Sequence, residues 1–438
     1  MESESLLQLV AASVFLVIAL LYSLRQVFSH LPPYQNHSDT AGMASLTVAK
    51  VPRDPPKLTP SHWVGSPPTQ FQNPWPSYRQ SGSFSTILSA RFGKGRNFVP
   101  VPANREGLVP IQTPDWGAGA KPQQIKATWI GHSSYLIEMP TAQEKGDKDG
   151  RGLRFLMDPV FCERMGPAQL VGPRRFSPTP CTIDELPLVD ALCISHNHYD
   201  HLDIDAVKHL YADKAQKRPA AGMAPLQIFC GLGTKHWFIR HCGVRPEHVT
   251  EMDWWDEMDV AVKGSDSIRL ACTPSQHNSR RSGGDGDQML WCSFVLTTTG
   301  SAPKTSVYFA GDTGYRSILA EDVAAKTPVA DLPHCPAFAE IGAKYGPVSL
   351  ALLPIGCYSP RTFMSGVHCS PEDAVCIHFD VQSKLSVGMH YGTVRGGISA
   401  YYEDVLEPPR LWRSEGEARG LVWGKDIRLC NIGETVIV

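Results

Sequence analysis

Ser195-His196-Asn197-His198-Tyr199-Asp200-His201-Leu202-Asp203 places four possible metal ligands, His196, His198, Asp200 and His201, within six residues. The stretch follows Asp190–Ser195 (DALCIS), an apolar run that predicts a buried strand. A loop leaving a strand can turn several side chains toward one point. Imidazole nitrogen and carboxylate oxygen both suit zinc. His196 and His198, two apart in an extended turn, can face one ion, and Asp200 and His201 can face a second. A solvated polar loop would have no reason to carry so dense a set directly after a buried strand.

One motif supplies too few ligands, so others must come from distant loops. The pattern of an apolar run ending in a possible ligand recurs three times. Ile268–Cys272 leads to His277, Ser306–Ala310 to Asp312, and Leu385–Met389 to His390. A lone histidine after a strand is usually an ordinary structural residue. Together with the first motif, the three describe a site along one edge of a sheet. Further strands are expected at Ile125–Ile130, Ser134–Met139, Leu153–Met157, Gln227–Cys230, Leu290–Leu296 and Leu350–Leu353. Asp203–Ala212 has helical spacing with Asp203 as its cap. Strands mixed with helices predict a layered α/β or α+β domain.

The order His-x-His-x-Asp-His, lone His, Gly-Asp-Thr and final His resembles the metallo-β-lactamase superfamily. Its fold, an αββα sandwich of the α/β class, carries two metals at the sheet edges. Longer stretches are similar to the family of N-acylphosphatidylethanolamine-hydrolysing phospholipases D. These are Phe71–Arg79 (FQNPWPSYR), Gly172–Pro187 (GPRRFSPTPCTIDELP), Phe309–Tyr315 (FAGDTGY), Phe338–Pro347 (FAEIGAKYGP), Pro354–Met364 (PIGCYSPRTFM) and His368–Val375 (HCSPEDAV). The similarity covers Phe71 to Val438.

The resemblance implies two zinc ions. His196, His198 and His277 would bind one, Asp200, His201 and His390 the other, and Asp312 would bridge them. Asp200, Asp312 and His368 would carry catalytic roles, His368 as a substrate or outer contact. His132, in Gly131–Tyr135, is a candidate to line the site, and His378 reads as structural. The implied substrate is a membrane phospholipid, N-acylphosphatidylethanolamine, cleaved to phosphatidic acid and an N-acylethanolamine. Rival readings on the same fold are a lactonase, a nuclease or a di-iron redox protein. The di-iron class has His-x-Glu-x-Asp, and His198 stands at its Glu position. A non-catalytic membrane scaffold is opposed by the complete ligand set. One departure is Asn278, where the family has a bulky aromatic; Ser279-Arg280-Arg281 and a Gly-rich stretch follow it.

The 438 residues are 42% apolar and 19% charged with a formal net charge of −2. No basic stripe marks a nucleic-acid partner. The 12 cysteines form no C-x-x-C pair and read as reduced, buried thiols. Leu6–Tyr22 is nearly continuous apolar sequence, preceded by Glu2 and Glu4 and followed by Arg25, Lys50 and Arg53. It reads as a single-pass membrane helix with the catalytic domain on the cytoplasmic side. The expected organisation is an anchor at residues 1–28, a Pro-rich linker at 29–76 and a catalytic domain at 77–438. The sequence is compatible with an oligomer.

Overall fold

The computed structural model describes residues 46–53, 58–79, 92, 107–141, 151–169, 172–212, 224–262, 267–300, 304–395 and 402–438. The chain divides into two compact units, Met1–Ala41 and Gly42–Val438, and every described residue belongs to the second.

The first sheet holds β2 (Lys126–Gly131), β3 (Ser134–Glu138), β4 (Arg154–Met157), β5 (Ala191–Ile194), β6 (Gln227–Gly231), β7 (Val249–Met252) and β15 (Thr435–Ile437). Its order is β7-β6-β5-β4-β3-β2-β15, parallel from β4 to β7 and antiparallel elsewhere. The second holds β1 (Leu46–Lys50), β8 (Glu257–Val262), β9 (Ile268–Thr273), β10 (Ser293–Thr298), β11 (Ser306–Phe309), β12 (Leu350–Pro354), β13 (Ser386–Met389) and β14 (Ile427–Arg428). These run in the order β1-β8-β9-β10-β11-β12-β13-β14.

Successive residues of β5 show why its sequence is continuously apolar. Ala191 and Cys193 join the core shared with the second sheet. Leu192 and Ile194 join a separate cluster with α1 (Ile204–Tyr211) and α2 (Lys235–Cys242). A parallel strand covered on both faces has no polar side to alternate with. The shared core also takes in α3 (Ala337–Tyr345) and α4 (Pro371–Asp380), through Phe338, Ile341, Val375 and Ile377. This is the αββα sandwich that the resemblance implies. Asp203 caps α1 as expected, its side chain accepting from the Asp205 and Ala206 amides. Its other oxygen accepts from the amides of Phe161 and Cys162, tying the loop after β4 to the same point.

Several elements differ from expectation. The strand expected at Leu290–Leu296 starts at Ser293, because the preceding amides serve loops of the first sheet. Leu290 N–H donates to Leu232 and Cys292 N–H to Ser195. Strands β7 and β8 were not anticipated, since Glu251, Glu257 and Asp259 interrupt their apolar pattern. Part of the expected linker packs on the domain: β1 pairs with β8, and Phe71 is buried.

The membrane-spanning expectation is corrected. Among the described residues no helix is long and apolar enough to cross a membrane. Leu6–Tyr22 itself lies outside the described residues. Physically, its 17 residues would make a helix of about 25 Å, short of a hydrocarbon core of about 30 Å.

Candidate metal centre

All seven expected ligands meet where the two sheets present the same edge. The loop after β5 brings His196, His198, Asp200 and His201. The loops after β9, β11 and β13 bring His277, Asp312 and His390. Close approach of loops from opposite sheets requires Gly311. It has φ +59°, and a Cβ there would stand 2.7 Å from the Ser195 Cβ.

Two clusters result. In the first, His196 Nε2 lies 2.9 Å from His198 Nδ1, which lies 3.2 Å from His277 Nε2. In the second, Asp200, His201 and His390 are joined by His132. Asp312 stands between the clusters. Its Oδ1 is 2.9 Å from His390 Nε2, and its Oδ2 is 3.1 Å from His201 Nε2 and 3.9 Å from His277 Nε2. His368 Nδ1 is 3.7 Å from the same Oδ2. His378 is not brought to the site; its Nδ1 pairs with Ser386 Oγ at 2.8 Å.

The donor chemistry fits metal ions better than it fits internal hydrogen bonding. Nitrogens around a tetrahedral ion at ~2.0–2.1 Å stand about 3.3 Å apart, close to the spacing of the first cluster. His201 Nε2, His390 Nε2 and Asp312 Oδ1 are buried close to one another, yet none of them makes a well-aligned hydrogen bond. Buried polar atoms are rarely left so. Burial, with His201, His198 and His277 close by, holds the His196 imidazole well below its ordinary range and therefore neutral, as a ligand must be. Burial alone would raise the Asp312 carboxyl, but His201 and His390 hold it well below the carboxylate range. Asp200, with 30% of its side chain exposed, marks the open side.

An outer layer orients these ligands. His201 Nδ1 pairs with Asp158 Oδ2 at 2.8 Å, and the same carboxylate accepts from Ser195 N–H at 2.7 Å and Ser195 Oγ–H at 2.5 Å. His277 Nδ1 lies 2.8 Å from the Val367 carbonyl, and His196 Nδ1 lies 3.0 Å from Ser195 Oγ. Such partners fix tautomer and ring orientation. Sequence reasoning missed Asp158, although the signal was present: Leu153–Met157 also ends in a possible ligand. His132, at φ 51°, places Nε2 3.0 Å from Asp200 Oδ2. Asn73, from the expected linker, donates to the His277 carbonyl at 2.7 Å.

The loop carrying His368 has its own anchor. Glu403 accepts from the amides of Cys357, Tyr358 and Ser359 at 3.0, 3.0 and 3.4 Å. Burial pushes its carboxyl up to about 7 despite those donors, with Glu407 adding to the shift. The folded protein therefore holds this proton more tightly than the unfolded chain does. That contribution to stability is fully present below the ordinary value of 4.5 and is lost as pH rises through about 7. Glu403→Gln should flatten the decline, so denaturation midpoints at about pH 5 and about pH 8 should differ less in the variant than in the parent. Equal pH differences in both proteins would refute this account.

Comparison with known proteins places the chain in a family. The family described as Beta-lactamase superfamily domain matches residues 153–391, more than half of the chain. N-acyl-phosphatidylethanolamine-hydrolyzing phospholipase D 1 of Caenorhabditis elegans is 33% identical over 285 residues, 64% of this chain and 67% of that protein. An uncharacterized protein of Mycobacterium tuberculosis is 33% identical over 290 residues, 66% of this chain and 63% of that protein. The mitochondrial N-acyl-phosphatidylethanolamine-hydrolyzing phospholipase D of Saccharomyces cerevisiae is 28% identical over 355 residues, 74% of this chain and 67% of that protein. The matches thus span about two thirds of each relative.

Proposed function

We propose, for a chain that belongs to the metallo-β-lactamase superfamily of metal-dependent hydrolases, that its reaction is phospholipase D-type hydrolysis of N-acylphosphatidylethanolamine at a centre of two zinc ions. The observation that carries this reading is the convergence of all seven candidate ligands, together with 33% identity to an enzyme named for that reaction. His196, His198 and His277 would hold one ion and Asp200, His201 and His390 the other, with Asp312 shared.

Zinc bound there supplies Lewis acidity toward water and a phosphoryl oxygen. The protein's own residues do the rest. Asp158 and the Val367 carbonyl hold His201 and His277 in the orientation that leaves Nε2 free. The Asp312 carboxylate offsets the repulsion between two cations. His368, 13% exposed and 3.7 Å from Asp312, would contact the substrate phosphate or its leaving oxygen. Water adds to phosphorus and the bond to the ethanolamine oxygen breaks. The leaving oxygen takes a proton, giving phosphatidic acid and an N-acylethanolamine.

Mass spectrometry of the products, run in ¹⁸O-labelled water, tests the proposal. Phosphatidic acid should appear carrying the label, beside unlabelled N-acylethanolamine. Free fatty acid as the sole new product would identify an acyl hydrolase instead. Zinc measured on the purified chain should approach two per molecule.

A further inference from the structure

The Asn278–Arg281 stretch departs from the family at Asn278, and none of its side chains is used by the chemistry above. Arg281 lies four residues beyond His277 and turns back across the loop that carries four ligands. Its Nη1 donates to the carbonyls of Asn197 at 2.9 Å, Leu202 at 2.8 Å and His198 at 3.5 Å. Its guanidinium lies over the ring of Tyr199 at 4.0 Å and near that of Trp237, on α2, at 4.8 Å. The Tyr199 hydroxyl donates back to the Arg281 carbonyl at 3.1 Å. The Arg281 amide donates to Asp285 at 3.1 Å, which fixes the turn.

The arrangement has a physical logic. A loop that turns four ligands inward turns backbone carbonyls outward, here toward one point. Converging carbonyls need a donor with several hydrogens and positive charge, and a guanidinium close to two aromatic rings supplies both. Among the described residues no carboxylate lies within ion-pair distance of Arg281, so the carbonyls are its principal partners. Burial accordingly lowers its basicity from the ordinary value.

We infer that Arg281 is a positioning residue of the metal centre, which locks the His196–Leu202 backbone to the loop bearing His277 and so fixes the spacing of ligands drawn from both sheets. The inference rests on the metal-centre reading given under the proposed function. It assigns metal retention in part to a side chain that touches no metal. Lysine at this position keeps an ammonium with three hydrogens but loses the aromatic stacking. Methionine keeps only the apolar stem.

Metal affinity measured by chelator competition tests the inference, together with the electronic spectrum of cobalt-substituted protein. Arg281→Met should weaken binding ~10–100-fold and change the cobalt spectrum, while far-ultraviolet circular dichroism stays at the parental level. Arg281→Lys should fall between the two. Parental affinity and spectrum in Arg281→Met would overturn the inference. If Arg281→Met does not fold, Arg281→Lys decides, because it keeps the charge but loses the planar guanidinium that reaches the three carbonyls. It should speed chelator-driven release several-fold, and unchanged release in that variant would equally overturn the inference. Absence of tight metal binding in the parent protein would instead remove the metal-centre reading itself.

Discussion

Asp312→Asn is expected to drop bound metal below two ions per chain and to reduce hydrolysis by at least about 100-fold, with the fold intact by circular dichroism. Strand β11 delivers Asp312 to the shared edge, and two glycines make the delivery possible. Gly311 admits the turn, and a Cβ on Gly314 would meet the Gly366 carbonyl at 2.4 Å. The carboxylate faces His201 and His390 at hydrogen-bond distance and His277 at 3.9 Å. Asparagine keeps the shape but removes the charge that offsets two cations held close together. His378→Ala is the matched control. His378 is buried against Ser386, away from both clusters, and its loss should leave metal content unchanged. An Asp312→Asn protein with two tightly bound ions and near-normal turnover would refute the bridging role.

His368→Ala should have the opposite signature: full metal content with turnover lowered by about 100-fold. His368 belongs to neither of the two clusters described above but shares a third group with His277 and Asp312, its Nδ1 3.7 Å from Asp312 Oδ2. Burial drives its imidazole down to about 3, with His277 and His390 adding to the effect against Asp312, so the ring is neutral near pH 7. The backbone around it is firmly held. Arg361 Nη1 donates to the His368 carbonyl at 3.2 Å while pairing with buried Asp373, and the Cys369 amide donates to Thr313 at 2.7 Å. Deleting the ring therefore removes a contact without loosening the loop. Metal analysis run beside the assay separates the possibilities, since loss of metal in His368→Ala would make it a ligand.

The candidate ligands were legible in the sequence because a site at a sheet edge requires such residues at strand ends, and apolar runs announce strand ends. The αββα layering was legible through the motif order, whereas periodicity alone stopped at a mixed α/β domain. Asp158 escaped because a single carboxylate after a strand resembles any turn, and its role depends on pairing with His201, 43 positions away. Arg281 escaped for the same reason: nothing local says that its guanidinium will meet three carbonyls of a distant loop. The edge strand β1 escaped because Leu46–Lys50 (LTVAK) sits among Pro and Ser residues and owes its strand conformation to pairing with β8.

The order of the candidate ligands along the chain bears on when the proposed centre can be assembled. A ribosome delivers His196, His198, Asp200 and His201 first, from one sheet, then His277, Asp312 and finally His390 from the other. A nascent chain that has emerged only as far as α1 carries four of the candidate ligands but lacks Asp312 and all of the facing sheet except β1. A centre built from all seven of these residues can be completed only after His390 has been synthesised. A translation product arrested upstream of β13 would leave the ribosome with an unfinished second sheet and an incomplete coordination shell.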